Sequence, residues 1–192
     1  MQHTRPTKPT VRRRSGTIGA LAVVAALAGG LVSPASAIAA PAPASTGAQA
    51  AGVRQAVVNA AKAYLGTPYK LQYGWTCGTA RVDCECLNRH AIWDGTKRAT
   101  GRGLQLNYWL QGQINQGRRT STPRPGDLIF WDTDPNDGIR YGGDLDHTGV
   151  YIGGGQAIDA NAYYGRVKYD TVTLGGTERD PIYVDVLTPN GY

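Results

Sequence analysis

Two stretches in the first half of the chain carry apolar residues at helical spacing. The first stretch ends at Gly66, and its apolar positions are i, i+3, i+4, i+7, i+8, i+11 and i+12: Val53, Ala56, Val57, Ala60, Ala61, Tyr64 and Leu65. In the second stretch, Asp83 can cap a helix that we expect to end at Gly95 and that has one face made of Cys84, Leu87 and Ala91. A third helix is predicted over 104–116.

The pattern changes after Pro123 and Pro125. Short runs rich in β-branched and aromatic residues, separated by turn residues, predict five strands, at 127–131, 147–152, 156–161, 166–169 and 181–187. Because the helices precede the strands, we expect an α+β fold in which N-terminal helices pack on an antiparallel sheet of about five strands.

The N-terminal segment has the composition of an export signal. An apolar run, Thr17–Val32, follows basic residues and ends at Ser33–Ala37, which offers an A-x-A cleavage site. Gly29, Gly30 and Pro34 interrupt the run before the roughly 20 residues that a membrane span needs. We therefore predict a secretory signal peptide over 1–37, an Ala/Pro-rich spacer over 38–52 and a single domain over 53–192. The expected product is a secreted monomer with no membrane attachment after cleavage.

The charge balance supports this division of the chain. The formal net charge is +6, but five of the 20 basic residues and none of the 14 acidic ones lie in residues 1–37. The rest of the chain is nearly neutral, and it therefore creates no strong field that would steer it to polyanions. No nucleic-acid partner is expected.

Three cysteines lie close together, at Cys77, Cys84 and Cys86. A bond between Cys84 and Cys86 would span one residue at a helix start, where the geometry is poor, so Cys77 pairs with either Cys86 or Cys84. The first pairing leaves Cys84 in the first turn of a helix, where the dipole favours a thiolate and hence a nucleophile. The second pairing makes Cys84 structural, and the cysteines alone leave both alternatives open.

A cysteine nucleophile needs a base. His3 is removed with the leader, and His90 lies six residues after Cys84 on another face of the same helix. This leaves His147, at the start of a predicted strand, with Asp159 as the candidate that orients its ring.

The parity of the hairpin decides whether these two side chains can meet. A three-residue loop, Gly153–Gly155, pairs Ile152 with Gln156 and Val150 with Ile158, and it sets Asp159 opposite Gly149. The imidazole of His147 and the carboxylate of Asp159 then lie diagonally on one face of the sheet.

Four motifs, in order along residues 53–174, together resemble the NlpC-type cell-wall cysteine peptidases, which are papain-like: Leu65–Tyr69, Asp83–Leu87, Pro125–Phe130, and His147–Gly153 with Ala157–Ala160. The resemblance implies a papain-like fold, a triad of Cys84, His147 and Asp159, and a contribution of Tyr69 to an oxyanion hole. Leu87 matches the family's leucine three residues after the nucleophile, which selects Cys84 and implies a Cys77–Cys86 disulfide.

The implied activity is hydrolysis of an amide bond in the peptidoglycan stem peptide, between D-glutamate and a diamino acid, without a cofactor. Two departures from the family pattern bear on it. Glu85 and Cys86 replace the family's Ser and Gly, and a carboxylate beside the nucleophile disfavours a thiolate. Asp159 stands where the family often has histidine.

Two alternatives stay open. One is an amidase, deamidase or acyltransferase that uses the same three residues on another substrate. The other is a catalytically inactive wall-binding domain with Cys84 in a disulfide.

One acidic segment alternates roughly as calcium ligands do, with Asp132, Asp134, Asn136 and Asp137. The glycine comes one place late, at Gly138, and Gly143 occupies the position that requires a bidentate glutamate. We interpret the segment as a solvated acidic turn and expect no metal.

Overall fold

The computed structural model describes residues 46–72, 76–133, 145–174 and 181–192. The predicted signal peptide, the first part of the predicted spacer and most of the acidic segment lie outside these residues. The helices are α1 (Thr46–Ala63), α2 (Cys84–Thr100) and α3 (Leu110–Asn115), followed near the C-terminus by a 3₁₀ turn, Thr188–Asn190. The strands are β1 (Arg118–Thr120), β2 (Leu128–Trp131), β3 (His147–Gly153), β4 (Gln156–Asn161), β5 (Arg166–Thr171) and β6 (Ile182–Asp185).

The described strands form one six-stranded sheet in the order β1-β6-β2-β3-β4-β5, with every neighbouring pair antiparallel. The predicted α+β class and antiparallel sheet are confirmed. The sixth strand, β1, was not predicted because Arg118 and Arg119 are exposed and give no apolar signal. It is held by pairing with β6 rather than by burial of its own side chains.

Helix α1 begins at Thr46, seven residues before the predicted domain start, so residues 46–52 are helical rather than spacer. These residues are mostly exposed and add nothing to the apolar stripe. Alanine and glutamine still favour helix without a buried face, so the helix extends beyond its packing surface.

Helix α2 does not end at Gly95 as expected; it continues to Thr100 and is closed by Gly101 in the left-handed conformation. A Cβ at Gly95 would lie 2.5 Å from the Cα of Val57. Gly95 is therefore the point at which α1 and α2 cross in backbone contact, and its lack of a side chain serves packing rather than termination.

The third helix is shorter than the predicted 104–116. Leu106 and Tyr108 are buried while Gln105 and Asn107 are exposed, which is the two-residue alternation of an extended chain. Only residues 110–115 are helical.

The β3–β4 hairpin has the predicted pairs Gly149 with Asp159 and Val150 with Ile158. The predicted pairing of Ile152 with Gln156 is wrong, because an irregularity after Tyr151 places Gly153 opposite Gln156. Val150 and Ile158 belong to the larger core, which lies between the sheet and the helices. A smaller cluster on the other face contains Ile129, Trp131 and Ala157.

Candidate active site

Cys84 is the first residue of α2 and the only unpaired cysteine among the described residues. Asp83 caps the helix, since its Oδ1 accepts a hydrogen bond from the Cys86 backbone N–H at 2.8 Å. Its Oδ2 accepts a second bond, also 2.8 Å, from the Gln72 N–H, and so ties the preceding loop to the helix start. The thiol therefore sits at the positive end of a 17-residue helix whose first turn is fixed on two sides.

His147 opens β3, and its Nε2 lies 2.8 Å from Oδ2 of Asp159. Asp159 is fully buried, and the His147 side chain is 14% exposed. Asn161 donates a second hydrogen bond to the same Oδ2, at 3.1 Å, while Oδ1 of Asp159 is buried with no partner in the described part of the chain. The carboxylate is held from one side only.

Cys84 is within interaction range of His147, since it contributes to the pKa of that imidazole. Because Nε2 faces Asp159, Nδ1 is the ring nitrogen left for the sulfur. Burial alone would lower the pKa of His147, but the hydrogen bonds to Asp159 and Cys84, and the negative charge that each can carry, outweigh burial and raise that pKa to about 10. The imidazole can therefore hold a proton taken from the thiol.

Two further features fix the imidazole. The Trp131 ring stacks on it, with ring centroids 5.3 Å apart and planes 23° from parallel, and Trp131 is itself anchored by an Nε1–H bond of 2.7 Å to the Val172 carbonyl. A Cβ at Gly149 would lie 2.7 Å from the carbonyl oxygen of Ile158. Gly149 thus allows β3 and β4 to approach closely where the His147–Asp159 contact forms.

The disulfide joins Cys77 to Cys86, with Cα atoms 5.4 Å apart. This is the pairing that the family resemblance implies, and it leaves Cys84 free. The second residue of the family's Ser-Gly pair is thus replaced by half of a cross-link to the loop that precedes α2.

The Glu85 side chain reaches from α2 to the start of α3. It is buried and its Oε1 accepts the backbone N–H of Leu110 at 2.9 Å, so it caps the start of α3. Burial raises the pKa of Glu85, the Leu110 bond opposes that rise, and the charge of Asp83 adds to it. The carboxylate serves packing between α2 and α3.

Tyr69 is half-buried, and its backbone pairs with Val82, two residues before Cys84. Its N–H also donates to the Gly165 carbonyl at 2.7 Å, which connects it to the turn between β4 and β5. The residue is therefore near the start of α2, as an oxyanion role requires.

His90 is separate from this cluster. Its Nε2 lies 3.2 Å from the Gly78 carbonyl oxygen, and its ring stacks on Tyr64. Within the described ranges, no group of three or more His, Cys, Asp or Glu side chains could hold a metal ion. Nor does any described helix combine the length and apolarity needed to cross a bilayer.

Sequence reasoning missed the polar residues that connect these elements. Asn88, one turn after Cys84, donates to the hydroxyl of Thr148 at 2.8 Å and to Oε1 of Gln113 at 3.0 Å. Asn161 was missed as well. Each is a polar residue at a position that the period of its helix or strand assigns to the interior or the site, which is the one signal that could have found it.

Comparison with known proteins places these features in a family. The model of the NlpC/P60 family matches residues 66–183, which contain every residue of the site. Two curated relatives are each described as "Probable endopeptidase p60". The one from Listeria innocua is 42% identical over 121 residues, which are 63% of this chain and 22% of the relative. The one from Listeria grayi is 33% identical over 101 residues, which are 52% of this chain and 16% of the relative. The chain thus spans about a fifth of the length of these curated relatives.

Solved structures agree on the fold. The NlpC/p60 domain of the peptidoglycan hydrolase SagA superposes with a TM-score of 0.51 at 27% identity, covering 69% of this chain and 97% of that one. The peptidoglycan hydrolase RipB from Mycobacterium tuberculosis superposes with a TM-score of 0.55 at 24% identity, and the match covers 73% of this chain and 67% of that one. With a family model that matches more than half of its length and a helix–sheet arrangement shared with these domains, the chain belongs to the NlpC/P60 family.

Proposed function

We propose that this protein is a cysteine hydrolase that cleaves an amide bond in the stem peptide of peptidoglycan. One observation carries the proposal: an unpaired thiol at the start of a helix interacts with an imidazole whose Nε2 lies 2.8 Å from a buried carboxylate. Such an arrangement of nucleophile, base and orienting group supports acyl transfer through a covalent intermediate.

In the proposed reaction, Cys84 gives its proton to His147 and its sulfur attacks the amide carbonyl carbon. The C–N bond then breaks as His147 returns the proton to the leaving amine, and an acyl-enzyme remains on Cys84. Water attacks this thioester with His147 as base, which releases the carboxylic acid and restores the thiol. Asp159 holds the imidazole in position throughout.

The raised pKa of His147 fits both halves of the cycle. Two of its causes are the hydrogen bond to Cys84 and the charge on that residue. Both are lost when the sulfur bonds to the carbonyl carbon, so attack itself turns His147 into a stronger acid at the moment when the amine needs a proton. For the oxyanion, we assign the Tyr69 hydroxyl and the backbone N–H groups of Cys84 and Glu85 in the first turn of α2, since the Cys86 N–H is already bonded to Asp83.

The proposed substrate rests on the family and its relatives. SagA and RipB are each described as peptidoglycan hydrolases, and the Listeria relatives as probable endopeptidases. A surface cavity of about 560 Å³ is lined by residues of segments 70–72 and 76–81 and carries Lys70 and Arg81, which complement the free carboxylates of a stem peptide. Within that class, we propose the bond between D-glutamate and the diamino acid, and a protein that works as a secreted monomer.

The wall-binding alternative requires Cys84 in a disulfide, and the free Cys84 opposes it. The decisive experiment digests purified peptidoglycan with the protein and with Cys84→Ala, followed by mass spectrometry of the released fragments. We expect the wild type alone to release peptides that begin with the diamino acid and to leave stem-peptide remnants that end in D-glutamate on the glycan. Equal release by both proteins would remove Cys84 from the mechanism.

A matched control is Cys77→Ala together with Cys86→Ala, which removes the disulfide and keeps the nucleophile. If this double variant folds, it should retain cleavage while Cys84→Ala does not. Fragments cut at another bond would keep the chemistry of the site and correct the substrate.

A further inference from the structure

A chain of buried polar side chains connects the helix that carries Cys84 to the strand that carries His147. Nδ2 of Asn88 donates to Oγ1 of Thr148 at 2.8 Å, and that hydroxyl donates to the Ile129 carbonyl on β2, also at 2.8 Å. Asn88 and Thr148 are both fully buried. The bond joins residues 60 apart in the chain and crosses directly from α2 to β3.

The second hydrogen of the same amide continues the network. Nδ2 of Asn88 donates to Oε1 of Gln113 at 3.0 Å, and Nε2 of Gln113 donates to the Glu85 carbonyl at 3.1 Å. Gln113 is also fully buried. Both donors of one amide are thus used to connect α2, α3 and β3 inside an otherwise apolar core.

Asn88 lies four residues after Cys84 on the same face of α2, and Thr148 directly follows His147. We propose that Asn88 and Thr148 are positioning residues that set the separation of the thiol and the imidazole. Apolar packing between a helix and a sheet is non-directional, and it permits small slides of one against the other. A buried hydrogen bond does not permit them, because a displaced donor would be left without a partner.

A further observation separates this role from a contribution to stability alone. Oδ1 of Asn88 is buried with no partner in the described ranges. A buried oxygen in this state costs free energy that a leucine at the same position would not. What the asparagine provides in return is the pair of directed bonds from Nδ2. The proposal concerns the Cys84–His147 pair, and it rests on the proposed function only where substrate turnover is measured.

The test uses two substitutions of Thr148, each of which keeps the part of the side chain that the other removes. Thr148→Val keeps the shape and removes the hydroxyl, whereas Thr148→Ser keeps the hydroxyl and removes a methyl group. We expect Thr148→Val to lower kcat by about 10²-fold with KM unchanged, since misplacement of reacting groups by about 1 Å has an effect of that order. Thr148→Ser should remain within a few-fold of the wild type.

A readout without substrate accompanies these assays: the pH dependence of Cys84 alkylation by iodoacetamide, followed with thiolate absorbance near 240 nm. We expect Thr148→Val to change this profile and Thr148→Ser to preserve it. Because alkylation needs no peptidoglycan, the profile still tests the positioning role if the wild type fails to cleave that substrate.

Thr96→Val is the matched control for a general effect of removing a buried hydroxyl from the core. Thr96 is fully buried on α2, and its hydroxyl accepts the Leu104 N–H at 2.8 Å, three turns from Cys84. We expect Thr96→Val to lower the melting temperature and leave the alkylation profile unchanged.

Asn88→Leu is the second variant and should reproduce the Thr148→Val profile. Wild-type alkylation and kcat in Thr148→Val, or equal losses in Thr148→Val and Thr148→Ser, would overturn the proposal. Failure of both Thr148→Val and Asn88→Leu to fold would overturn it as well, because the network would then support the fold rather than the site.

Discussion

Two buried clusters of charge hold the described domain together, and they differ in whether their positive partner can lose its proton. In the first, Arg54 on α1 contacts Oδ1 of Asp127 at 2.5 Å and Oδ1 of Asp185 at 2.8 Å, and Arg124 contacts the other oxygen of Asp185 at 2.7 Å. In the second, the partner of Asp159 is His147. A guanidinium stays charged at every relevant pH, whereas an imidazole does not.

The two clusters also differ in how fully their carboxylate oxygens are hydrogen-bonded. Oδ1 of Asp185 also accepts the N–H groups of Leu187 and Thr188, each at 3.0 Å. Burial would raise the pKa of Asp185, but the bonds from Thr188 and the charge of Arg54 outweigh it and lower that pKa. Asp159 keeps one oxygen unpartnered among the described residues. The carboxylates of the first cluster are bonded at both oxygens, whereas Asp159 is bonded at Oδ2 alone.

The largest expected effect comes from breaking the second cluster. Asp159→Asn keeps the size of the side chain and removes the charge that holds His147 protonated. We expect kcat to fall by about 10²- to 10⁴-fold, the range that positioned acid–base catalysis contributes, with the melting temperature within a few degrees of the wild type. Steady-state kinetics and thermal unfolding of the same samples check this. Unchanged kcat would mean that Asp159 does not orient the imidazole.

Breaking the first cluster should have the reverse signature. Arg54→Met removes the shared cation and leaves Asp127 and Asp185 buried without it. Loss of one partner from a buried ion pair typically costs about 3–5 kcal/mol of unfolding free energy. Denaturant unfolding measures this cost, and alkylation of Cys84 in the fraction that remains folded should be normal. A variant that unfolds normally but loses alkylation would show that the two clusters are coupled.

The sequence predicted the second cluster but not the first. The predicted helix start at Cys84 and the predicted pairing of Gly149 with Asp159 are both found. The pairing does not come from a three-residue loop, because Gly153 pairs with Gln156 and an irregularity after Tyr151 restores the predicted register. Arg54 gave no signal, because a cation at a helix position normally marks a solvated face and its two carboxylates lie 73 and 131 residues away.

The errors have a common physical origin. The sequence predicts a helix end at Gly95 because glycine is a poor helix former, and only the position of Val57 in another helix explains why a glycine stands there. Glu85 is adjacent to Cys84 in sequence, and its contact with Leu110 at the start of α3 was not predicted; its effect on the thiolate stays a prediction. Each error concerns a contact with a distant element, which sequence spacing does not encode.

A change of pH should separate the clusters without any substitution. His147 must be protonated to release the amine, and its pKa is raised from the ordinary value of 6.5 to about 10. Activity should therefore persist through neutral pH and fall about tenfold per unit once the pH rises above about 10, as measured by kcat/KM. In Asp159→Asn the alkaline limb should move to lower pH, because one cause of the raised pKa is removed. A wild-type limb near 7 would contradict this assignment.

The smallest effect is expected at Glu85, the carboxylate that stands beside the nucleophile in sequence but caps α3 in space. Glu85→Gln keeps an oxygen that can accept the Leu110 N–H, and Glu85→Ala removes it. Loss of a helix cap costs about 0.5–2 kcal/mol, so Glu85→Ala should be destabilised by about that amount and Glu85→Gln by less. Because the side chain points to α3, both should keep the wild-type pH profile of Cys84 alkylation. A profile that shifts in Glu85→Gln would instead mean that the buried charge acts on the thiol through the first turn of α2.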